Sequence, residues 1–119
     1  MNNQIIIDLQ NIDNAEDVLM ELGNIFEFGG PNGNTKIIPG INKGWGFNYS
    51  ALNDSLTCLE DGGIWGTSKK FTFPLSVHFT NTHSFKVNDM DAYQSLVEIF
   101  ERNSEEYKAE GKEFIVEFE

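Results

Sequence analysis

Residues 45–56 read WGFNYSALNDSL and predict a helix that follows a glycine-containing turn. Asn48 is a favourable residue to begin this helix, because an asparagine side chain can accept a hydrogen bond from a backbone N–H of the first turn. At 3.6 residues per turn, we expect a helix from Asn48 to about Asp61 that packs on one side and displays polar groups on the other. The packed side would carry Tyr49, Leu52, Leu56 and Leu59, and the displayed side Ser50, Asp54, Thr57 and Asp61.

Three strands and two further helices are predicted around this stretch. The strands are Ile5–Leu9, which we expect to be covered on both faces, Leu75–Phe79 directly after Pro74, and Phe114–Phe118. The helices run from Ala15, behind a cap at Asn14, to Gly23, and from Met90 to about Lys108, where Gly111 closes the second. Because helical segments separate the strands, we expect right-handed crossovers and a parallel sheet.

The predicted fold class is therefore α/β, with a three-stranded parallel sheet packed by helices in a single domain over residues 1–119. A chain of 119 residues is long enough to bury its own core. A long loop at residues 24–46, with six glycines and two prolines, is inserted before the main acidic helix. Since this loop contains neither of the common phosphate-binding glycine motifs, we expect no nucleotide there.

The composition is strongly acidic and bears on the class of partner. Nineteen aspartates and glutamates against eight lysines and arginines give a formal net charge of -11 and a pI near 4.4. Such a charge disfavours direct binding to nucleic acid or to an anionic membrane, and it favours basic proteins. An acidic surface that serves only solubility is the alternative.

The chain has one cysteine, no signal-peptide pattern at its start and no apolar run long enough to span a membrane. A single cysteine cannot form an internal disulfide and suits a reducing compartment. We therefore expect a cytoplasmic protein that is a monomer when free.

Few residues are candidates for catalysis or for metal binding. His78 and His83 are the two histidines, and His78 is expected to be a surface or sheet-edge residue because it alternates with apolar strand residues. Cys58 lies between the packed and polar sides of the predicted helix, and it is expected to behave as a small apolar residue. No spacing singles out a pair of carboxylates for acid–base chemistry. We expect no catalytic residue, no metal ligand and no cofactor.

Asp54 is the carboxylate with the most specific placement. It projects from the polar side of the predicted helix, just behind an aromatic and glycine-rich turn. A carboxylate in this position can mimic a phosphate and accept paired hydrogen bonds from an arginine in another protein. An ordinary exposed helix aspartate is the alternative interpretation.

The motif Gly46-x-Asn48-x-x-Ala51-Leu52-x-Asp54-x-Leu56 resembles the inhibitory helix of the barstar family, the intracellular inhibitors of barnase-type ribonucleases. The order of later elements is also similar, since Phe73-Pro74-Leu75 begins a strand and Glu110-Gly111-Lys112 precedes the last one. The resemblance covers most of the chain except residues 27–43 and 60–70, which have the character of insertions. It implies a small three-stranded parallel sheet and an acidic helix that blocks a nuclease active site.

The resemblance also implies roles for individual residues. Asp54 matches the aspartate that fills the nuclease active site, Gly46 and Asn48 match the turn before the helix, and Trp45 stands where an aromatic residue is usual. Three positions depart from the family pattern and bear against barnase itself as the target, leaving other basic nucleases or toxins open. They are Ser50, where the family has an aspartate, Asn53, where it has a tryptophan, and Arg102, near an acidic position.

The leading hypothesis is a non-enzymatic inhibitor or immunity protein that blocks the active site of a basic ribonuclease or nuclease toxin with an acidic helix. Its partner-binding residues would be Trp45, Gly46, Asn48, Ser50, Asn53, Asp54, Thr57, Glu60 and Asp61. The alternative is a small ligand-binding or enzymatic domain. In that case the glycine-rich loop, Trp45, Trp65 and a histidine or carboxylate would surround a pocket.

Overall fold

A computed structural model describes residues 3–27, 48–62 and 69–119 of the chain. The predicted glycine-rich loop from residue 28 onward, Trp45, Gly46 and Trp65 lie outside these described residues. The elements follow one another as β1 (Asn3–Asp8), α1 (Ala15–Phe26), α2 (Tyr49–Leu56), a 3₁₀ turn (Leu59–Asp61), β2 (Leu75–Thr80), α3 (His83–Asn88), α4 (Met90–Ala109) and β3 (Phe114–Phe118).

The three strands form one parallel sheet in the order β1-β2-β3. β2 lies in the centre, with Ile7 of β1 opposite Phe79 and with Phe118 of β3 opposite the same residue. The predicted α/β fold class is confirmed, with a three-stranded parallel sheet and four helices. β3 has the bounds that its sequence predicted, and β2 begins directly after Pro74 and extends one residue beyond Phe79.

The two faces of the sheet differ in their burial. On one face, Ile7, Val77 and Phe79 are at most 1% exposed. On the other face, Ile6 is 61% exposed and Ile115 is 41% exposed. The prediction that the first strand is covered on both faces is therefore wrong, because its alternate residues point to a half-open face.

The chain divides into two compact units, residues 1–15 with 72–119, and residues 16–71. The first unit holds the sheet, α3 and α4. Phe100 of α4 meets the Phe79 ring edge-on at 5.0 Å between centroids, and the Ser104 hydroxyl donates to the carbonyl of Phe114. α4 ends where its sequence predicted, since Gly111 follows with a left-handed φ of 78°.

α3 is the element of the first unit that the sequence analysis did not predict. It is six residues long and places only Phe85 among the buried residues, so its sequence shows no helical period. The backbone N–H and the hydroxyl of Thr82, directly before α3, both donate to the carbonyl of Glu119, at 2.9 and 2.7 Å. Asp89 then caps α4 by accepting from the Ala92 N–H.

The second unit holds most of α1, all of α2 and the 3₁₀ turn. α1 continues through Gly23, which is buried, and ends at Phe26. The predicted end at Gly23 and the predicted loop start at residue 24 are therefore wrong, because packing of the fully buried Phe26 extends the helix by another turn. The Phe26 and Phe71 rings contact each other with centroids 5.2 Å apart.

Candidate partner-binding site

The start of α2 is fixed by its predicted cap. Asn48 has an extended backbone, with φ of -145° and ψ of 168°, and its Oδ1 accepts a hydrogen bond of 2.8 Å from the Ala51 N–H. This bond satisfies one of the N–H groups that the first turn of a helix leaves without a partner. The structural role predicted for Asn48 is confirmed, while its contact with a partner stays a prediction.

α2 ends five residues earlier than predicted. Thr57 is extended, Cys58 has a left-handed φ of 59°, and the chain then forms the 3₁₀ turn that Gly62 closes with a φ of 85°. Leu59 is fully buried in this turn, and its carbonyl accepts a hydrogen bond of 3.0 Å from the Phe71 N–H. Leu59 is therefore buried from this turn and not from a helix continued to Asp61.

One side of α2 anchors it within its unit. Leu52 and Leu56 are fully buried and Ser55 is 1% exposed, as expected for the packed side of an amphipathic helix. Burial of two leucines contributes roughly 1.5–3 kcal/mol each to holding the helix in place. The opposite side is therefore displayed on a fixed support.

The displayed residues of the predicted site differ in exposure. Ser50 is exposed, whereas Asn53, Asp54 and Thr57 are half-buried. Glu60 and Asp61 are both exposed, but they lie on the 3₁₀ turn and do not continue the polar side of α2 as predicted.

The Asp54 carboxylate is the principal acceptor on α2. Within residues 3–27, 48–62 and 69–119, the structure gives this carboxylate no hydrogen bond and no ion pair. The Thr57 hydroxyl, by contrast, donates to the carbonyl of Asn53 at 3.1 Å, so its proton is already used. A half-buried carboxylate of this kind can accept two parallel bonds from a guanidinium group without first breaking a bond to those residues.

Cys58 does not pack as the sequence analysis expected. Its thiol is free and the residue is exposed. The reason is that α2 ends before it, so the helical geometry that placed Cys58 beside the packed side does not apply.

The two histidines both belong to the first unit. His83 is exposed at the start of α3. His78 lies on the central strand and not at a sheet edge, but it is a surface residue of the half-open face, with its side chain 24% exposed. Its Nε2 atom is 2.9 Å from Glu119 Oε1 and its Nδ1 atom is 3.9 Å from Glu117 Oε2. These three residues were not predicted to lie together, because their grouping depends on the register between β2 and β3, which no local sequence signal gives.

A cavity beside His78 bears on the alternative hypothesis of a ligand-binding domain. It has a volume of about 100 Å³ and is lined by Gln4, Ser76, Val77, His78, Ile115 and Glu117. Pockets for small-molecule ligands usually measure roughly 300–1,000 Å³. This cavity therefore gives no support to a deep ligand site, and the glycine-rich loop, Trp45 and Trp65 lie outside the described residues.

No helix in the described part of the chain combines the length and the apolar character needed to cross a lipid bilayer.

Comparison with known proteins identifies the family. No match is found among curated proteins. Residues 39–119, well over half of the chain, match the family described as Barstar (barnase inhibitor). The match includes α2 with Asp54 and every later element, while β1 and α1 precede it. Proteins of this family are inhibitors of barnase-type ribonucleases and not enzymes. The chain belongs to the Barstar family.

Proposed function

We propose that this protein inhibits a basic ribonuclease or nuclease toxin by placing α2 and the residues before it in the enzyme's active site. Asp54 would be the anionic group that occupies the phosphate-binding position. The observation that carries this proposal is the Asp54 carboxylate, which is half-buried on a capped helix and has no partner within the described part of the chain. The Barstar family match supports the class of target.

The chemistry of the target follows from that of Asp54. A nuclease active site holds a phosphodiester with arginine, lysine and histidine side chains, and a carboxylate can take the place of one phosphate oxygen pair. Because the opposite side of α2 is buried, the helix loses little conformational freedom on binding. Asp54 therefore combines charge complementarity with a pre-organised position.

The remaining predicted residues would surround this anchor. Trp45 would supply apolar contact area, Gly46 and Asn48 would shape the turn before α2, and Ser50 and Asn53 would set the choice of target. At the rim we place Thr57, Glu60 and Asp61. Exposed rim charges contribute more to association rate than to affinity, so Glu60 and Asp61 should matter less than Asp54. Thr57 is uncharged and its hydroxyl already donates to Asn53, so it should also matter less.

The net charge of -11 supports a basic partner. Opposite charges attract at long range and accelerate the encounter of two proteins. The barnase–barstar pair is the standard example of this effect, and its association rates are known for that pair only. We propose no direct contact with nucleic acid or membrane, no catalytic activity of the chain itself, a monomer when free, and a cytoplasmic location.

The test is inhibition of RNA cleavage by a panel of basic ribonucleases, with barnase among them. For a ribonuclease that the wild-type protein inhibits, we expect Asp54→Ala to raise the inhibition constant about 30-fold or more, since losing one partner of an interfacial charge pair costs at least about 2 kcal/mol. Asp54→Asn separates the loss of charge from the loss of shape. Glu106→Gln is the matched control, because it also removes one negative charge, at an exposed position on α4. It should change the inhibition constant less than about threefold.

Undiminished inhibition by Asp54→Ala would remove Asp54 from the role proposed for it. If no ribonuclease of the panel is inhibited, the protein should be used to capture partners from an extract of its native cells at low and at high salt. Recovery of a basic nuclease at low salt is the expected result. Failure to recover any basic enzyme would count against the proposal.

A further inference from the structure

We propose that His78, Glu117 and Glu119 form a binding site for a divalent transition-metal ion, with Zn²⁺ as the ion that fits best. The three residues lie on the half-open face of the sheet, at the carboxyl ends of β2 and β3. Parallel pairing places His78 opposite Glu117, and Glu119 follows two residues later on the same face. The pairing brings together residues that are about forty positions apart in the chain.

The distances between the side chains fit two ligands on one ion. His78 Nε2 and Glu119 Oε1 are 2.9 Å apart. Zinc binds histidine nitrogen and carboxylate oxygen at roughly 2.0–2.2 Å, so two such ligands lie about 2.9 Å apart at a right angle and about 3.4 Å apart at a tetrahedral angle. One ligand atom from each of the three residues, Glu117 included, lies within 4.8 Å of the others.

The Nε2 atom of His78 provides a second, independent observation. It is shielded from solvent, and despite its closeness to Glu119 Oε1 it has no hydrogen-bond partner of acceptable geometry among the described residues. A shielded polar nitrogen without such a bond destabilises the fold. Ligands of a common ion point their lone pairs at the ion and not at each other, so a bound ion would give this nitrogen the partner that the Glu119 carboxylate does not provide.

The backbone holds the site in place while leaving room for adjustment. The Glu119 N–H donates to the carbonyl of Phe79 at 2.9 Å, and the Glu119 carbonyl accepts from both the N–H and the hydroxyl of Thr82. The Glu117 side chain is 62% exposed and can turn toward the ion. Because the face is half open, water can take the fourth position of a zinc site.

The ligand set decides between classes of ion. One imidazole and two carboxylates offer nitrogen as well as oxygen, which suits zinc and its neighbours in the first transition row. Calcium and magnesium prefer shells of oxygen only. A bound Zn²⁺ would neutralise the two carboxylates and join β2 to β3, so it would stabilise the sheet by binding to the folded state.

Calorimetric titration with ZnCl₂ tests the proposal on the full chain with any purification tag removed. A Cys58→Ser background excludes zinc binding by the exposed thiol. We expect about one ion per chain, and His78→Gln and Glu119→Gln should each weaken binding about tenfold or more, whereas the exposed His83→Gln should not. MgCl₂ in place of ZnCl₂ should give no comparable binding.

A second measurement, by NMR, uses the Cys58→Ser protein with His78, Glu117 and Glu119 unchanged. On addition of Zn²⁺, the imidazole NMR signals of His78 should shift and those of His83 should remain in place. Loss of zinc binding in His78→Gln with unchanged circular dichroism would support the site. The proposal would be overturned if no zinc bound at about a tenfold molar excess of Zn²⁺ over protein. It would also be overturned if His78→Gln bound Zn²⁺ as tightly as the Cys58→Ser protein does.

Discussion

Asp8 joins the carboxyl ends of β1 and β2 through one oxygen atom. Its Oδ1 accepts a hydrogen bond of 2.9 Å from Asn81 Nδ2 and another of 3.0 Å from the Gln10 N–H. The Asn81 bond, and then the Gln10 bond, lower the pKa of the Asp8 carboxyl. Since the unfolded chain binds this proton more readily, the bonds stabilise the fold above about pH 4, and this contribution is lost as the pH falls through the lowered pKa.

Removing the Asn81 side chain should therefore raise the pKa of Asp8 toward its ordinary value. Asn81→Gly is the suitable variant, because Asn81 has a left-handed φ of 53° that glycine adopts without strain. An NMR titration of the Asp8 carboxyl carbon measures the pKa directly. Asn88→Ala, which removes a contact with Asp13 instead, is the control and should leave Asp8 unchanged. If Asn81→Gly also leaves the pKa of Asp8 unchanged, the bond from Asn81 is not the main cause of the shift.

Gly111 determines how α4 passes into β3. Its φ is 78°, and its N–H donates to the carbonyl of Lys108 at 3.0 Å, which closes the helix. A Cβ atom built at this position meets nothing within 4 Å. The cost of a side chain here is therefore conformational and does not include a steric clash.

We expect Gly111→Ala to lower the free energy of unfolding by about 1 kcal/mol, because alanine adopts a left-handed backbone at a cost of roughly 1–2 kcal/mol. Gly111→Asn should lose less, since asparagine tolerates this conformation better. Urea unfolding with an unchanged m-value measures both. Glu110→Ala, a neighbouring exposed residue with an ordinary φ of -93°, is the control. Equal stability of Gly111→Ala and the wild type would contradict the conformational explanation.

Helices and strands with strong local signals could be predicted from the sequence. The last strand follows from its apolar run, the start of α2 from its asparagine cap, and the end of α4 from Gly111. The errors arise where packing contradicts the local signal. α1 passes a glycine because Phe26 packs beyond it. α2 stops early at the left-handed Cys58, and Leu59 is buried from the turn that follows.

At the scale of the whole molecule, the parallel sheet could be predicted because helical segments separate its strands. Its order and register could not, since local sequence does not determine which strand lies in the centre. The grouping of His78 with Glu117 and Glu119 depends on that register, and so does the exposure of Ile6 on the half-open face. The prediction for Asp54 needed only the helical period and the family motif, which are local features of the sequence.

The net charge of -11 belongs to the molecule as a whole and predicts how the protein should meet its target. If the acidity serves association, the association rate constant with the inhibited ribonuclease should fall about tenfold or more between ionic strengths of about 0.01 M and 1 M, where the Debye length falls from about 30 Å to about 3 Å. The dissociation rate constant should change much less, because it depends on close contacts such as those proposed for Asp54.

Stopped-flow or surface-plasmon measurements give both constants. Asp54→Ala should mainly accelerate dissociation, and Glu106→Gln should leave it unaltered. An association rate that does not depend on salt would indicate that the acidic composition serves solubility instead.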